Sequence, residues 1–424
     1  MLKNISIISV LSLLSLNANI LENNSNTNLS MGYSSSNIVK NSNSLLNNPA
    51  ASATELSNFD TSMSIYGMSL DNGLLKDINS LNDIDINDFT NKAQVLNTLS
   101  AKDLEGFYKT MEDINTLSTS NNNMIQTVGF STSVSFKNIS VGFNTNYYYN
   151  LFINNSPGSE IIIEDNGNYL KYDKDNNIYV LSTKEEFKTN SFNNSIENKS
   201  TLNNLQIIKS EIPISYSDKF RLSNNDVFKY SGSFKIINLK SSLNSMLLSE
   251  VEGNSNAIFD RNDMNTNDIG VGLNFGLIYN PRILKEVEIG LTGTNINKPV
   301  FKTELEDFKL DSQYNISLSY NIDKNWILTT SGDLKENEIF NYKSQNFGLG
   351  VSFIPSKYFN LRTGLSKNIV KDANASTIYT AGFSFGFENV KLDISGAYSN
   401  EMSDINDTTL PSYMNLQSSL VIDF

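Results

Sequence analysis

The chain has 424 residues, a formal net charge of -13, and neither histidine nor cysteine. These absences exclude disulfides, zinc–thiolate sites, histidine metal sites and Ser-His-Asp catalysis. The acidic balance disfavours direct nucleic-acid binding, which needs a concentrated basic face. A mean hydropathy of -0.29 is too polar for a bundle of membrane helices. A membrane β-barrel remains compatible, because half of every barrel strand can be polar.

The N-terminus carries the longest continuous apolar run, residues 5–16, preceded by Lys3. This run is too short to span a bilayer as a helix, but it has the length of a signal-peptide core. We expect residues 1–18 to be a signal peptide that is cleaved after Ala18. The mature chain would therefore leave the cytoplasm.

The next segment, residues 19–58, is polar and precedes the first predicted strand. It contains the sequence Asn48-Pro49-Ala50. We predict that this segment is a hatch or plug associated with the barrel.

Residues 59–424 show repeated two-residue alternation, clearest from Ile269 to Tyr279. Successive side chains point to opposite faces of a strand, so each segment has one apolar and one polar or small face. The fold class is therefore all-β, a transmembrane antiparallel β-barrel of about 14 strands. The predicted strands are 60–70, 124–136, 139–150, 205–217, 227–240, 268–279, 287–296, 313–322, 326–334, 346–354, 359–367, 377–387, 390–399 and 413–424.

The lengths of the connections give a topology. Short turns, such as Lys137-Asn138 and Glu388-Asn389, alternate with longer polar stretches, such as 151–204 and 241–267. Bacterial barrels have short periplasmic turns and longer outer loops. A periplasmic C-terminus places every predicted short turn in the periplasm and every long loop outside.

One excursion, residues 71–123, has helical rather than strand spacing. Leu74, Ile78 and Leu81 suggest one short helix. A longer stripe and a possible capping box at Ser100 and Asp103 suggest a second helix. The members of that stripe are Leu104, Phe107, Met111, Ile114 and Leu117. Such a stripe more often packs on its own protein than on a partner, so we expect a small helical insertion outside the membrane.

Two acidic clusters are poor metal sites. The first ends in Asn177 and lacks the glycine and closing glutamate of a calcium loop. The spacing of the second cluster does not match a calcium loop any better. Their acidic members are Asp173 and Asp175 in the first cluster, and Asp260, Asp263 and Asp268 in the second. We predict no catalytic, cofactor-binding or metal-binding residues.

Aromatic residues lie near the ends of many predicted strands, and we interpret them as interfacial girdles. The alternative is a ligand-stacking track, which would need these rings on the lumen face. The residues concerned are Tyr147, Tyr148, Tyr149, Tyr279, Tyr320, Trp326, Phe353, Tyr358, Phe359, Tyr379 and Tyr398.

The region from Met31-Gly32-Tyr33 to Asn48-Pro49-Ala50 resembles the opening of the FadL-like outer-membrane superfamily. The stretch 70–78 and the helical excursion resemble one branch, the conjugal-transfer TraF-type outer-membrane proteins. Residues 290–296 and 330–334 also resemble recurring strands of that group. This resemblance implies an outer-membrane location in a Gram-negative bacterium, a plugged 14-stranded barrel and a link to conjugation or envelope export.

Two functions follow as hypotheses. The first is a non-enzymatic accessory component of conjugative transfer or envelope export. The alternative is a FadL-like passive channel for hydrophobic small molecules. Expected partners are outer-membrane lipid, envelope or conjugation proteins, and the barrel-assembly machinery, which would recognise Phe424 as the C-terminal signal. We expect a monomer without cofactors. A soluble secreted β-protein is the competing interpretation of the whole pattern.

Overall fold

A computed structural model describes residues 25–39, 41–54, 59–77, 122–154, 160–165, 167–173, 176, 178–191, 200–223, 225–247, 263–371, 377–387, 389–405 and 408–423. The predicted signal peptide, Phe424 and most of the predicted helical insertion lie outside these residues. Among them, no helix is long and apolar enough to cross a membrane.

Fourteen antiparallel strands form a closed barrel, which confirms the predicted fold class. Each predicted strand corresponds to an observed one. Their bounds are β1 Asp60–Asn72, β2 Asn123–Phe136, β3 Ile139–Asn154, β4 Thr201–Arg221, β5 Val227–Leu247, β6 Thr266–Asn280, β7 Val287–Thr294, β8 Gln313–Asn321, β9 Trp326–Asp333, β10 Asn346–Ser356, β11 Phe359–Asn368, β12 Thr377–Gly386, β13 Val390–Ser399 and β14 Tyr413–Asp423.

The barrel closes where β1 pairs with β14, from Asp60 opposite Asp423 to Leu70 opposite Tyr413. Closure removes the unpaired edges that an open sheet would present to lipid. All other barrel neighbours are consecutive in the chain, so the topology is a simple meander. The predicted alternation of short turns and long connections is present at the two ends of this barrel.

The outer wall carries an exposed apolar band. On β6, Ile269, Val271 and Leu273 are exposed, as the alternation predicted. An apolar surface of this kind is stable against hydrocarbon, which defines the membrane-facing band. Other members are Phe136, Val141, Ile212, Phe234, Ile316, Leu328, Phe347, Leu361, Phe383 and Leu416.

Strands β4 and β5 each have 21 residues. A membrane-spanning strand needs only about 9–11 residues, so roughly half of each strand projects beyond the bilayer. Both strands are longer than their predicted ranges, because the projecting parts contain polar residues on both faces. Asn203 and Asn204 on β4, on opposite faces of the strand, are examples, and both are buried.

The long connections contain structure that the sequence did not reveal. Between β3 and β4 lies a three-stranded sheet, Ile162–Asp165, Asn168–Asp173 and Ile178–Ser182, followed by helix Lys184–Asn190. Thr183 and Glu186 form a capping box at the start of that helix. Further hairpins join Val300–Phe301 to Phe308–Lys309, Asn337–Ile339 to Tyr342–Ser344, and Met402–Ile405 to Thr408–Pro411.

Candidate functional site: the barrel lumen

The lumen is occupied by residues 25–39 and 41–54, which we call the lumenal segment. It contains one short helix, α1 (Asn26–Ser30), and two 3-10 turns, Asn41–Leu46 and Pro49–Thr54. Ser25 caps α1 by accepting a hydrogen bond from the backbone N–H of Asn28. Most of the described side chains of the lumenal segment are buried, including polar ones such as Asn48.

The lumenal segment is hydrogen-bonded to inward-facing side chains around the barrel wall. The Asn26 amide donates to the Asp393 carbonyl and to Ser419 Oγ, at 2.8 Å each. Ser34 Oγ and Thr329 Oγ1 are 2.5 Å apart, and Ser52 Oγ and Ser217 Oγ are 2.6 Å apart. Further contacts join Asn37 to Ser317, Ser42 to Asp60, and Gly32 to Thr380. These bonds satisfy polar groups that would otherwise be buried without partners.

Glycines on the inner wall allow the lumenal segment to approach the strands closely. A Cβ atom on Gly350 would lie 2.4 Å from the Met31 carbonyl oxygen. On Gly364 it would lie 2.5 Å from the Gly32 nitrogen. Gly32 itself has φ +65°, a conformation that glycine adopts without strain. Small wall residues and a tight turn in the segment therefore fit each other.

The predicted plug residues lie within this contact. Asn48 is fully buried, and its amide donates to the Leu277 carbonyl on β6 at 3.5 Å. Asn48 Oδ1 accepts a hydrogen bond from the Ala50 N–H at 3.1 Å. Pro49 follows Asn48 and begins the second 3-10 turn. A Cβ on Gly276 would lie 2.2 Å from Asn48 Oδ1, so Asn48 fills the space that this glycine leaves.

Above the lumenal segment, towards the long connections, the lumen contains an apolar layer. We define this layer by the buried inward-facing residues on the outer half of the wall and by hairpin residues that pack on them. Its wall members include Met68, Ile125, Tyr148, Leu205, Ile207, Ile237, Leu239, Ile378 and Tyr413. Outer-membrane barrels with water-filled channels have polar interiors, so this layer distinguishes the lumen from an open porin.

Two hairpins from the long connections enter the apolar layer. Phe301 and Phe308 come from the first, and Ile339, Phe340 and Tyr342 come from the second. The Phe340 ring centroid lies 5.8 Å from that of Tyr148 and 5.2 Å from that of Phe308. The sequence assigned these stretches to polar loops, because their buried aromatic residues are too few to form a periodic pattern.

The tip of the second hairpin is a two-residue turn in which both residues have positive φ, Phe340 at 51° and Asn341 at 62°. Asparagine tolerates this conformation, whereas a phenylalanine there is strained. The contacts of the Phe340 ring in the lumen offset that strain. Burial also raises the pKa of Tyr342, on the same hairpin, to about 12.

Several charged residues inside the barrel form pairs or clusters of opposite charge. Glu211 Oε1 lies 3.5 Å from Lys209 Nζ and 3.0 Å from Lys235 Nζ. Lys229 and Glu288 form a second pair at 2.7 Å, and Arg362 pairs with Asp393. Buried charges need such partners because removal from water is costly. Asn144 also donates to Glu211, which connects this cluster to the wall.

Several predictions about sites can be compared with the structure. Tyr148 faces the lumen and is 2% exposed, so its assignment to an interfacial girdle is wrong. Trp326 and Phe353 face outward and stack at 4.4 Å, as a girdle requires. Asp173 accepts hydrogen bonds from Asn176. Asp175 and Asn177 lie outside the described residues, within which no group of acidic side chains could hold a metal.

The fold and the lumen define a class, a closed membrane β-barrel filled by its own N-terminal segment and inward-folded hairpins. The sequence model of the TraF protein of the F plasmid transfer operon matches residues 45–333. The chain therefore belongs to that TraF family. No curated protein matches it in sequence.

Solved structures show a similar fold. The deltaS2S3 mutant of the monoaromatic hydrocarbon channel TodX has a TM-score of 0.50 and 10% identity, covering 95% of this chain and 100% of that one. The Ralstonia pickettii toluene transporter TbuX has a TM-score of 0.47 and 11% identity, covering 95% and 99%. A Pseudomonas aeruginosa FadL homologue has a TM-score of 0.46 and 8% identity, covering 95% and 98%. The match to the TodX mutant shows that the chain shares this barrel fold, and a closed barrel with an apolar outer band is typical of the Gram-negative outer membrane.

Proposed function

We propose that this protein is a gated passive channel for hydrophobic small molecules. The apolar layer is the observation that carries this proposal. It provides aliphatic and aromatic surface inside a barrel whose neighbouring lumen is polar. Ligand sites for small apolar molecules are lined mainly by such side chains. A barrel that acted only through its outer surface would not need this layer.

The position of the layer supports a gate at each end. The hairpin tip at Phe340 packs against Tyr148 and Phe308 on the side of the long connections. The lumenal segment fills the periplasmic side, where Ser42 binds Asp60 near the start of β1. A molecule that replaces the Phe340 ring would keep the layer's apolar contacts. Passage would then require movement of the lumenal segment.

The proposal can be tested by uptake of an apolar probe, and toluene is suitable because of its size. Phe340→Gly removes the ring and also relaxes the strained turn, so the hairpin remains formed while the layer becomes accessible. We expect faster uptake than wild type. Ile237→Gln places an amide in the layer, and we expect slower uptake.

Phe387→Ala is the matched control, because Phe387 is 73% exposed at a short turn. Each variant is first checked for altered migration on gels between heated and unheated samples, which reports an intact barrel. If both lumen variants fold and take up toluene at the wild-type rate, the proposal is wrong.

Family membership favours a second function, an accessory role in conjugative transfer or envelope export. The supporting observation is the match of residues 45–333 to the TraF protein of a plasmid transfer operon. In a null strain, this role predicts a lower mating frequency with unchanged toluene uptake. The channel predicts the opposite pair of results, so one strain distinguishes the two functions.

A further inference from the structure

The outer wall contains a groove of about 880 Å³ that crosses strands β11, β12, β13, β14 and β1. Its floor is a row of small residues in direct register: Thr363 opposite Ala381, and Ala381 opposite Gly396. On the next strand, the larger residue Leu416 lies opposite Gly396 on one side and opposite Gly67 on the other. All five belong to the outward-facing set on their strands, so the groove faces lipid.

Larger apolar side chains form the two sides of the groove. On one side are Leu361, Phe383 and Ile394. Each lies two residues nearer the periplasmic turns than the floor residue of its own strand. On the opposite side, Tyr379 and Tyr398 lie with ring centroids 5.7 Å apart, close to the long connections. Tyrosines at this depth favour the headgroup level, so the groove opens into the outer leaflet.

The groove does not continue into the lumen. The backbone pairing of β1 with β14 is unbroken from Asp60 to Leu70, and that of β13 with β14 is unbroken from Val390 to Tyr398. An occupant must therefore come from the bilayer. The volume lies within the range of about 300–1,000 Å³ that is typical of small-molecule sites.

Positive charge lies above the tyrosine row. Lys367 is exposed and lies opposite Thr377 in the register of β11 and β12. This position is two residues beyond Leu365 and Tyr379, towards the long connections. Lys371 is also exposed, just beyond the end of β11. Neither lysine forms an ion pair with another residue in the described part of the chain. Lysine at the headgroup level attracts lipid phosphate.

We propose that this groove binds lipid A, the phosphorylated and acylated lipid of the outer leaflet. An acyl chain lies along the floor of small residues. There it covers apolar wall that would otherwise contact disordered lipid. A phosphate pairs with Lys367. The outward direction of the groove, its position at the outer-leaflet side and the adjacent cations together favour this occupant.

Native mass spectrometry of the full-length protein, incubated with lipid A in a mild detergent, tests the proposal. Gly396→Leu fills the floor, and the new Cβ is tolerated because it would lie 3.4 Å from the Asn415 oxygen and 3.6 Å from Leu416 Cδ1. Lys367→Gln removes the cation. We expect each change to weaken lipid A retention about tenfold, which corresponds to about 1.4 kcal/mol.

Two controls match these variants. Gly332→Leu is an outward substitution on β9, where a Cβ would lie 3.7 Å from Phe347 Cδ2. Lys324→Gln removes a cation from a short turn at the opposite end. Both should retain lipid A as the wild type does. The proposal is overturned if wild type retains no lipid A, if Gly396→Leu folds and retains it fully, or if phosphatidylethanolamine binds equally well and is lost in the same variants.

Discussion

Gly350→Ala should displace the lumenal segment while leaving the barrel closed. The new Cβ would lie 2.4 Å from the Met31 carbonyl oxygen, 2.5 Å from Met31 Cβ and 2.9 Å from the Met31 carbonyl carbon. The backbone of the lumenal segment fixes all three positions, so side-chain rotation cannot relieve the overlap. Overpacking of this kind costs about 1–3 kcal/mol.

Displacement also breaks hydrogen bonds near the turn. The Gly32 N–H donates to Thr380 Oγ1 at 2.9 Å, and Ser331 Oγ donates to the Tyr33 carbonyl at 3.0 Å. Each such bond contributes about 1 kcal/mol net. In the wild type, these bonds and the fitted contact hold the segment. Displacement breaks these bonds in the wild type and in the variant alike, so the substitution shifts the balance towards the displaced state by the overpacking cost alone, about 2 kcal/mol.

A single cysteine makes this shift measurable, because the chain has no native cysteine. Ser44 is fully buried and its hydroxyl has no hydrogen-bond partner among the described residues, so Ser44→Cys removes none of the hydrogen bonds described here. A maleimide reagent can reach this thiol only when the segment moves. A shift of about 2 kcal/mol raises the displaced fraction, and hence the labelling rate, roughly 30-fold.

The control is Gly232→Ala in the same cysteine background, because a Cβ there would meet nothing within 4 Å. Its labelling rate should equal that of the parent. The reasoning is refuted if Gly350→Ala labels at the parent rate, or if Gly232→Ala accelerates labelling equally.

Three other predictions concern the lumen. Glu211→Gln leaves Lys209 and Lys235 without their shared carboxylate, and we expect a loss of about 3–5 kcal/mol in stability, measured by thermal unfolding in detergent; an unchanged melting temperature would contradict this. Phe340→Gly should accelerate toluene uptake severalfold relative to Phe387→Ala, as measured in whole cells, and equal rates would count against the gate. Burial raises the Tyr342 pKa from 10.0 to about 12, so folding of its hairpin is fully favoured below pH 10 and loses stability as the pH rises towards 12. The difference in phenolate absorbance between wild type and Tyr342→Phe should appear near pH 12, and a difference centred at pH 10 would show that the phenol is not buried.

The sequence determined the barrel, because its evidence is local and repeated. Alternation such as that from Ile269 to Tyr279 follows directly from the two-residue period of a strand. All 14 strands and the alternation of turn and loop lengths could be predicted in this way. The sequence also identified Asn48-Pro49-Ala50 as residues of interest in a segment before the first strand.

Only the tertiary structure decided what fills the lumen. The apolar layer combines wall residues such as Ile207 and Ile237 with Phe340, which is distant in sequence. The alternation marks such positions only as inward-facing and gives no sign of which distant side chains meet there. Tyr148 shows the difficulty, since its neighbours Tyr147 and Tyr149 face outward with ring centroids 4.6 Å apart, while Tyr148 itself faces the lumen. A two-residue period fixes the face of each residue, whereas closure of the barrel brings together the residues that share its interior.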